Sequence, residues 1–379
     1  MAGWFSRGRD STRHAFERSP LELPMKKIWE TKVSGAILAP AVTTGRGIFI
    51  CSLAALYKID AGTGTVAWEY PYRELPKPQI NSLKSSPAIV ANRVVFTDMA
   101  GTMYCVDEDT GQTIWVTDEF SAVSDSVGIY DGKVFSNGRR LKGDREEPGY
   151  LCLDLDGKMI WFRDISGPNR TSAAAIADGK LVCEHKNGYV YGLDVEHGSV
   201  MWTCDIRALV DNTKLMREIS PLGVPIITSD FALLRIGDYR NLCALDLQSG
   251  EVVWTHVSDQ YMGFVGNADC VAADDRRVFY TMRNLFRSID LESGEILLTA
   301  DNRDRELGGS RALAGIVVGH HYIAGFNMSQ KVAAFNVDTG MVEWEFTGEG
   351  GFTDEATYFD GGFVIGDDLG YVRRFATGS

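Results

Sequence analysis

Tyr57–Trp68 reads YKIDAGTGTVAW, and the same plan returns as YCVDEDTGQTIW (Tyr104–Trp115), LCLDLDGKMIW (Leu151–Trp161) and YGLDVEHGSVMW (Tyr191–Trp202). It continues as CALDLQSGEVVW (Cys243–Trp254), RSIDLESGEILL (Arg287–Leu298) and AAFNVDTGMVEW (Ala333–Trp344). In each copy an alternating apolar strand ends at Asp or Asn, a glycine closes a short turn, and a second apolar strand follows. The Asp or Asn side chain accepts hydrogen bonds from backbone two residues on and starts the turn, while glycine supplies a positive φ. The unit is a β-hairpin repeated along the chain.

Seven of the eight tryptophans occupy one slot in this plan: Trp29, Trp68, Trp115, Trp161, Trp202, Trp254 and Trp344. With Leu298 in the missing place, the spacing averages about 45 residues, the period of a four-stranded propeller blade. Of the 35 residues after Trp344, GGFVIGDDLGYVRRFATGS supplies a blade's middle strands and stops where its Trp strand is due. KKIWETKV, near the N-terminus, fills that place. The sequence therefore predicts an all-β, single eight-bladed β-propeller of four-stranded blades, closed by the N-terminal strand completing the last blade. Closure of this kind removes an exposed sheet edge. The expected domains are a flexible N-terminal leader over 1–23 and the propeller over 24–379.

An apolar strand, Asp (once Asn), a TG-like turn and Trp (once Leu), seven times over, resembles the repeat of the pyrroloquinoline-quinone-type propellers. That family holds the quinoprotein alcohol dehydrogenases and a scaffold propeller of outer-membrane assembly. The resemblance covers residues 24–379. It implies that Trp29, Trp68, Trp115, Trp161, Trp202, Trp254 and Trp344 pack between neighbouring blades, with a looser contact at Leu298. It does not carry the family's quinone with it. The Cys-Cys dipeptide of those dehydrogenases is absent from this sequence, so no cofactor and no metal is predicted. No Trp-Asp dipeptide, the mark of the WD40 repeat, occurs either.

A formal net charge of −13 argues against a nucleic-acid partner, because that affinity rests on counterion release by basic side chains. The seven cysteines are dispersed on strands without a CxxC, and read as small buried hydrophobes in a reducing compartment. No stretch has the length of a signal-peptide core or a membrane span. The expectation is a cytoplasmic protein. Residues 1–20 carry Trp4, Phe5, Arg7, Arg9 and Arg13, which suits either a short docking segment or a polar leader; the polar leader is the expectation.

Function on such a ring lies in irregular loops, chiefly those from one blade's outer strand to the next blade's inner strand. These connections are long and polar after Trp68, Trp161, Trp202, Trp254 and Leu298, and DIRALVDNTKLMREI after Trp202 suits a helical turn or two. Ten residues at the starts of inner strands form the expected polar ring at the channel mouth: Lys84, Ser86, Asp125, Arg170, Glu218, Asn267, Asp269, Arg311, Asp354 and Glu355. Two readings follow. One is a non-catalytic scaffold presenting its loops to a protein or peptide partner. The other is an enzyme or small-molecule binder, of lyase, cyclase or hydrolase type, using a carboxylate of the ring. The scaffold is the primary reading, because nothing in the spacing selects a reaction and no Walker motif, GxSxG elbow or HExxH is present.

Overall fold

A computed structural model describes residues 4–71, 85–98, 101–117, 121–122, 126–142, 145–165, 173–185, 188–209, 224–236, 241–257, 271–282, 284–307 and 312–377. These residues form eight sheets, one per blade, whose four blade strands pair antiparallel. Blades 1 to 4 run from inner strands Val42–Thr44, Ala88–Val90, Gly128–Tyr130 and Ala175–Ala177 to outer strands Val66–Pro71, Thr113–Thr117, Met159–Asp164 and Val200–Asp205. Blades 5 to 7 run from Ile226–Ile227, Val271–Ala273 and Ala312–Val318 to Val252–Val257, Ile296–Asp301 and Val342–Thr347. In blade 8 the inner strand is Thr357–Phe359 and the outer strand is Met25–Lys32. Inner strands of neighbouring blades lie side by side, as between blades 2 and 3, 3 and 4, 7 and 8, and 8 and 1, and surround a central channel.

The expected closure is present. Met25–Lys32 pairs antiparallel with Tyr371–Thr377, so the two ends of the chain share one sheet. A polar cluster around the buried Arg373 locks the joint: its Nη1 lies 2.6 Å from the buried Asp367 Oδ2, and its Nε lies 2.5 Å from Oε2 of the more exposed Glu30 on the N-terminal strand.

Each blade meets the next through the tryptophan slot. Trp29, Trp68, Trp115, Trp161, Trp202 and Trp254 donate their indole N–H, over 2.8–3.3 Å, to the carbonyl just after the turn Asp of the following blade. Trp344 donates to Met25 O of blade 8 at 3.0 Å. One backbone device aims them all. In every blade the outer strand carries a register shift at the residue before the slot. Such a bulge bends the strand and re-aims the next side chain. The bulged residues face outward, which is why Ile28, Ile114, Ile160, Met201, Val253 and Leu297 are exposed apolar side chains. The turn glycine completes the fit: Gly250 has φ +73°, and a Cβ there would lie 2.4 Å from the Trp202 ring.

The boundary of blades 6 and 7 is built differently. Leu298 has no N–H to give. Asn302, fully buried, donates to Gly340 O at 2.9 Å and accepts Val342 N–H at 3.1 Å. The sequence-based expectation of a looser contact at Leu298 is thus offset by an amide bridge four residues on. In blade 3 the turn Asp and Gly are three residues apart rather than four, and the turn closes one position earlier, Gly157 N–H to Asp154 O at 3.1 Å. Residues 139–142 and 145–149 extend two strands of blade 3, Lys133–Lys142 and Arg145–Leu153, and Ser121–Ala122 pairs with Arg139 and Gly138. After Trp202 a 3₁₀ turn spans Ile206–Leu209; the rest of that connection, residues 210–223, lies outside the described residues.

Candidate functional site

A short inner strand has one side paired within its blade and the other facing the channel, where its N–H groups need acceptors. Residues 4–17 supply them. Trp4 exchanges backbone hydrogen bonds with Thr43 of blade 1, at 2.8 and 3.0 Å, and Phe5 O accepts Ile89 N–H of blade 2 at 2.8 Å. Ser11 O then accepts Ile176 N–H of blade 4, Thr12 O that of Ile227 in blade 5, and His14 O that of Ala273 in blade 6 (2.7, 2.8 and 3.2 Å). Ala15 O takes Val317 N–H of blade 7 at 2.8 Å, and Phe16–Glu17 adds to that blade as a parallel strand.

Blades 3 and 8 are reached near the upper ends of their inner strands, the end at which the long connections enter. Arg13 gives its Nη1 to Ser126 Oγ in blade 3 at 2.5 Å and its Nε to Ala174 O at 2.6 Å. Arg7 Nη2 sits 3.0 Å from Asp354 Oδ1, and Gly8 N–H donates to Glu355 Oε1 at 2.8 Å. One short segment therefore touches all eight blades. A turn between Ser6 and Arg9 lets it reverse inside the channel.

This corrects the expectation of a flexible leader over residues 1–23. Residues 1–3 lie outside the described set, but Trp4 is 1% exposed, Arg7 2% and Arg13 4%. The physical reason is the row of inner-strand N–H donors, which a polar leader satisfies with its backbone carbonyls whatever its side chains are.

Of the polar ring, Ser86, Asp354 and Glu355 are described; Lys84, Asp125, Arg170, Glu218, Asn267, Asp269 and Arg311 lie outside the described residues. Asp354 and Glu355 come together at the N-terminal segment. Ser86 does not join them, since its hydroxyl donates to Pro40 O at 3.1 Å towards blade 1. Arg7 and Arg13 are the site residues the sequence reading left out of the ring. Their signal was visible, as arginines spaced among aromatics in a segment outside the repeat, yet nothing local in it tells a channel occupant from a solvated leader.

At the opposite, lower end of the channel two shallow cavities flank Asp274 and Asp275. One, of about 260 Å³, is lined by Thr12 and His14 together with Asp178, Ser229 and Asp274. The other, about 470 Å³, lies under Phe16 between Arg277 and Asp338. Burial holds the His14 imidazole below its usual pKa. The neighbouring histidines 320 and 321 face different partners, Asp338 at 3.6 Å and Glu343 at 2.9 Å. Among the described residues no three His, Cys, Asp or Glu side chains are grouped to hold a metal ion. The described cysteines are buried free thiols, and burial pushes Cys105, Cys152 and Cys243 up to about 12.

A closed ring of eight four-stranded blades with a tryptophan girdle defines the class of the quinoprotein-like propellers. Within that class the chain belongs to the family described as Outer membrane protein assembly factor BamB, whose model matches residues 25–117, 99–263 and 220–356. It is 23% identical over 263 residues to the outer membrane protein assembly factor BamB of Yersinia pestis, a match covering 67% of this chain and 63% of that protein. The counterpart from Escherichia coli strain K12 is 25% identical over 224 residues, covering 56% and 50%. The chain thus matches less than two thirds of the length of either curated relative. Among solved structures, BamB from Moraxella catarrhalis superposes with a TM-score of 0.72 at 14% identity, covering 93% of this chain and 100% of that one. The quinohemoprotein alcohol dehydrogenase from Comamonas testosteroni gives 0.76 at 12% identity, over 100% and 81%. At such identities the structures share the fold alone.

Proposed function

We propose that the protein is a non-catalytic interaction propeller, a rigid ring presenting the long connections of its upper face to a protein or peptide partner. The observation that carries this reading is the engagement of the channel carboxylates: Asp354 holds Arg7 and Glu355 accepts Gly8 N–H. A general base must come within hydrogen-bond reach of a substrate proton. These two carboxylates are committed to the chain's own N-terminal segment. Membership of a family described as an assembly factor supports the same reading. Among the described residues no helix is long and apolar enough to cross a membrane. Buried, unbridged cysteines support a reducing, cytoplasmic location.

The test is quantitative partner binding by the full chain. Shortening the connection after Leu209 is expected to weaken binding of a co-purifying protein at least tenfold without moving the melting temperature. A small-molecule turnover abolished by Glu355→Gln in a folded protein would replace the scaffold with an enzyme.

A further inference from the structure

The N-terminal segment is held in the channel the way a ring would hold a foreign peptide. Its carbonyls, not its side chains, take the inner-strand N–H groups of blades 1, 2, 4, 5, 6 and 7. That mode of recognition gives affinity with little demand on sequence. Specificity comes from two arginines aimed at the upper rim, Arg7 at Asp354 and Arg13 at Ser126 and the Ala174 carbonyl. The segment is also held in an unfavourable backbone shape, because Arg9, Arg13 and Ala15 all have φ between +55° and +87°. Non-glycine residues take up that region only when their surroundings impose it.

We propose that the axial channel is a binding site for an extended, arginine-bearing peptide, and that residues 4–17 are its resident and displaceable occupant. The charge fits. Asp354 and Glu355 face the occupant in a chain whose net charge is −13, so a basic peptide is drawn to the ring and an acidic one is repelled. Residues 18–24 tether the occupant to the outer strand of blade 8, which raises its effective concentration and keeps the site closed until a competitor is present in excess. This rests on the interaction reading above and names the partner's chemistry.

The experiment uses the full chain with a protease site inserted between Pro20 and Leu21, cut after folding so that the tether is lost while every residue stays present. A fluorescent peptide of residues 1–20 is then added. The expected result is saturable exchange into the ring, with an Arg7→Ala peptide binding at least tenfold more weakly. In a ring carrying Asp354→Asn, the unaltered peptide loses a similar factor and the Arg7→Ala peptide loses little more, which isolates the Arg7–Asp354 pair. Binding that ignores both substitutions overturns the proposal. So does a cut chain that unfolds, or one whose own segment never exchanges while the ring stays folded, because the segment is then a fixed part of the fold. Loss of exchange with loop-partner binding intact discards the channel site and leaves the scaffold standing.

Discussion

The first 32 residues work at two opposite places in the ring. Residues 25–32 form the outer strand of blade 8, where Trp29 and Glu30 obey the same rules as the other blades. Residues 4–17 fill the axis, where nothing repeats. The rim is specified by side chains: an indole N–H, a turn carboxylate, a glycine under a ring. The bore is specified by backbone, since its donors are main-chain N–H groups that any non-proline neighbour offers. Changes at the rim should therefore damage folding in proportion to the side chain removed, while changes in the bore should matter mainly at its two arginines and at the buried Trp4 and Phe16.

Deleting residues 24–34 tests the rim most severely. It removes the whole outer strand of blade 8, the Trp29 contact and the Glu30 partner of Arg373 at once. The loss is expected to exceed a marginal folding stability of about 5–15 kcal/mol, so the deleted protein should show no cooperative thermal transition. A melt like that of the full chain would mean that the ring does not need its clasp.

Single slots come next. Trp254→Ala is expected to cost about 3–5 kcal/mol in chemical denaturation, from lost burial and the unfilled space. Leu298→Ala should lie near the lower end of its range, about 2 kcal/mol, because Asn302 carries the polar contact at that boundary. Asn302→Ala should then cost about 1–3 kcal/mol by stranding Gly340 O and Val342 N–H. If Leu298→Ala proves as costly as Trp254→Ala while Asn302→Ala is silent, the amide bridge is not what replaces the indole.

The contrast between rim and bore also explains what could be read from the sequence. The blade count, the clasp and the tryptophan contacts were legible because one local pattern had to solve the same packing problem eight times. The bulge before each slot was not, since period-two alternation looks the same with one residue inserted. Asn302 was not legible either: it lies four residues past its slot, and only the fold brings it to Gly340. The bore was hidden for a different reason. Recognition through carbonyls leaves no pattern in side chains, so Ser11, Thr12 and His14 look like any polar leader. Asp354 and Glu355 were nominated for the polar ring by position, and their contact with Arg7 and Gly8 was missed because that segment lies nearly the whole chain away.

In the bore, Arg13→Met removes the contacts to Ser126 and the Ala174 carbonyl and keeps the aliphatic stem. A loss of about 1–3 kcal/mol is expected, read as a lower denaturation midpoint. Thr12→Ala, by contrast, keeps the carbonyl that Ile227 N–H uses and should change stability little. A large loss at Thr12 would show that side chains, not backbone, hold the segment.

The smallest effect is set by pH. Asp60, Asp107, Asp194, Asp246 and Asp290 each accept backbone N–H groups in their turns and have carboxyl pKa values held below the ordinary one. A depressed folded-state pKa gives stability that is fully present above the unfolded-state value, about 3.9. That stability is lost as pH falls through the lower folded-state values. The melting temperature should therefore be insensitive to these groups near neutrality and fall below about pH 4. Blade 7 supplies the control, because Asn336 makes the same turn contacts to the Asp338 and Thr339 N–H groups with an amide that does not titrate. Asp246→Asn and Asp290→Asn together should leave the neutral melting temperature nearly unchanged and make its acid decline shallower. A decline of unchanged steepness would place the acid sensitivity of the ring elsewhere, with Glu30 beside the buried Arg373, its carboxyl pKa lowered, despite desolvation, by Lys27 and Arg373, as the next carboxylate to replace.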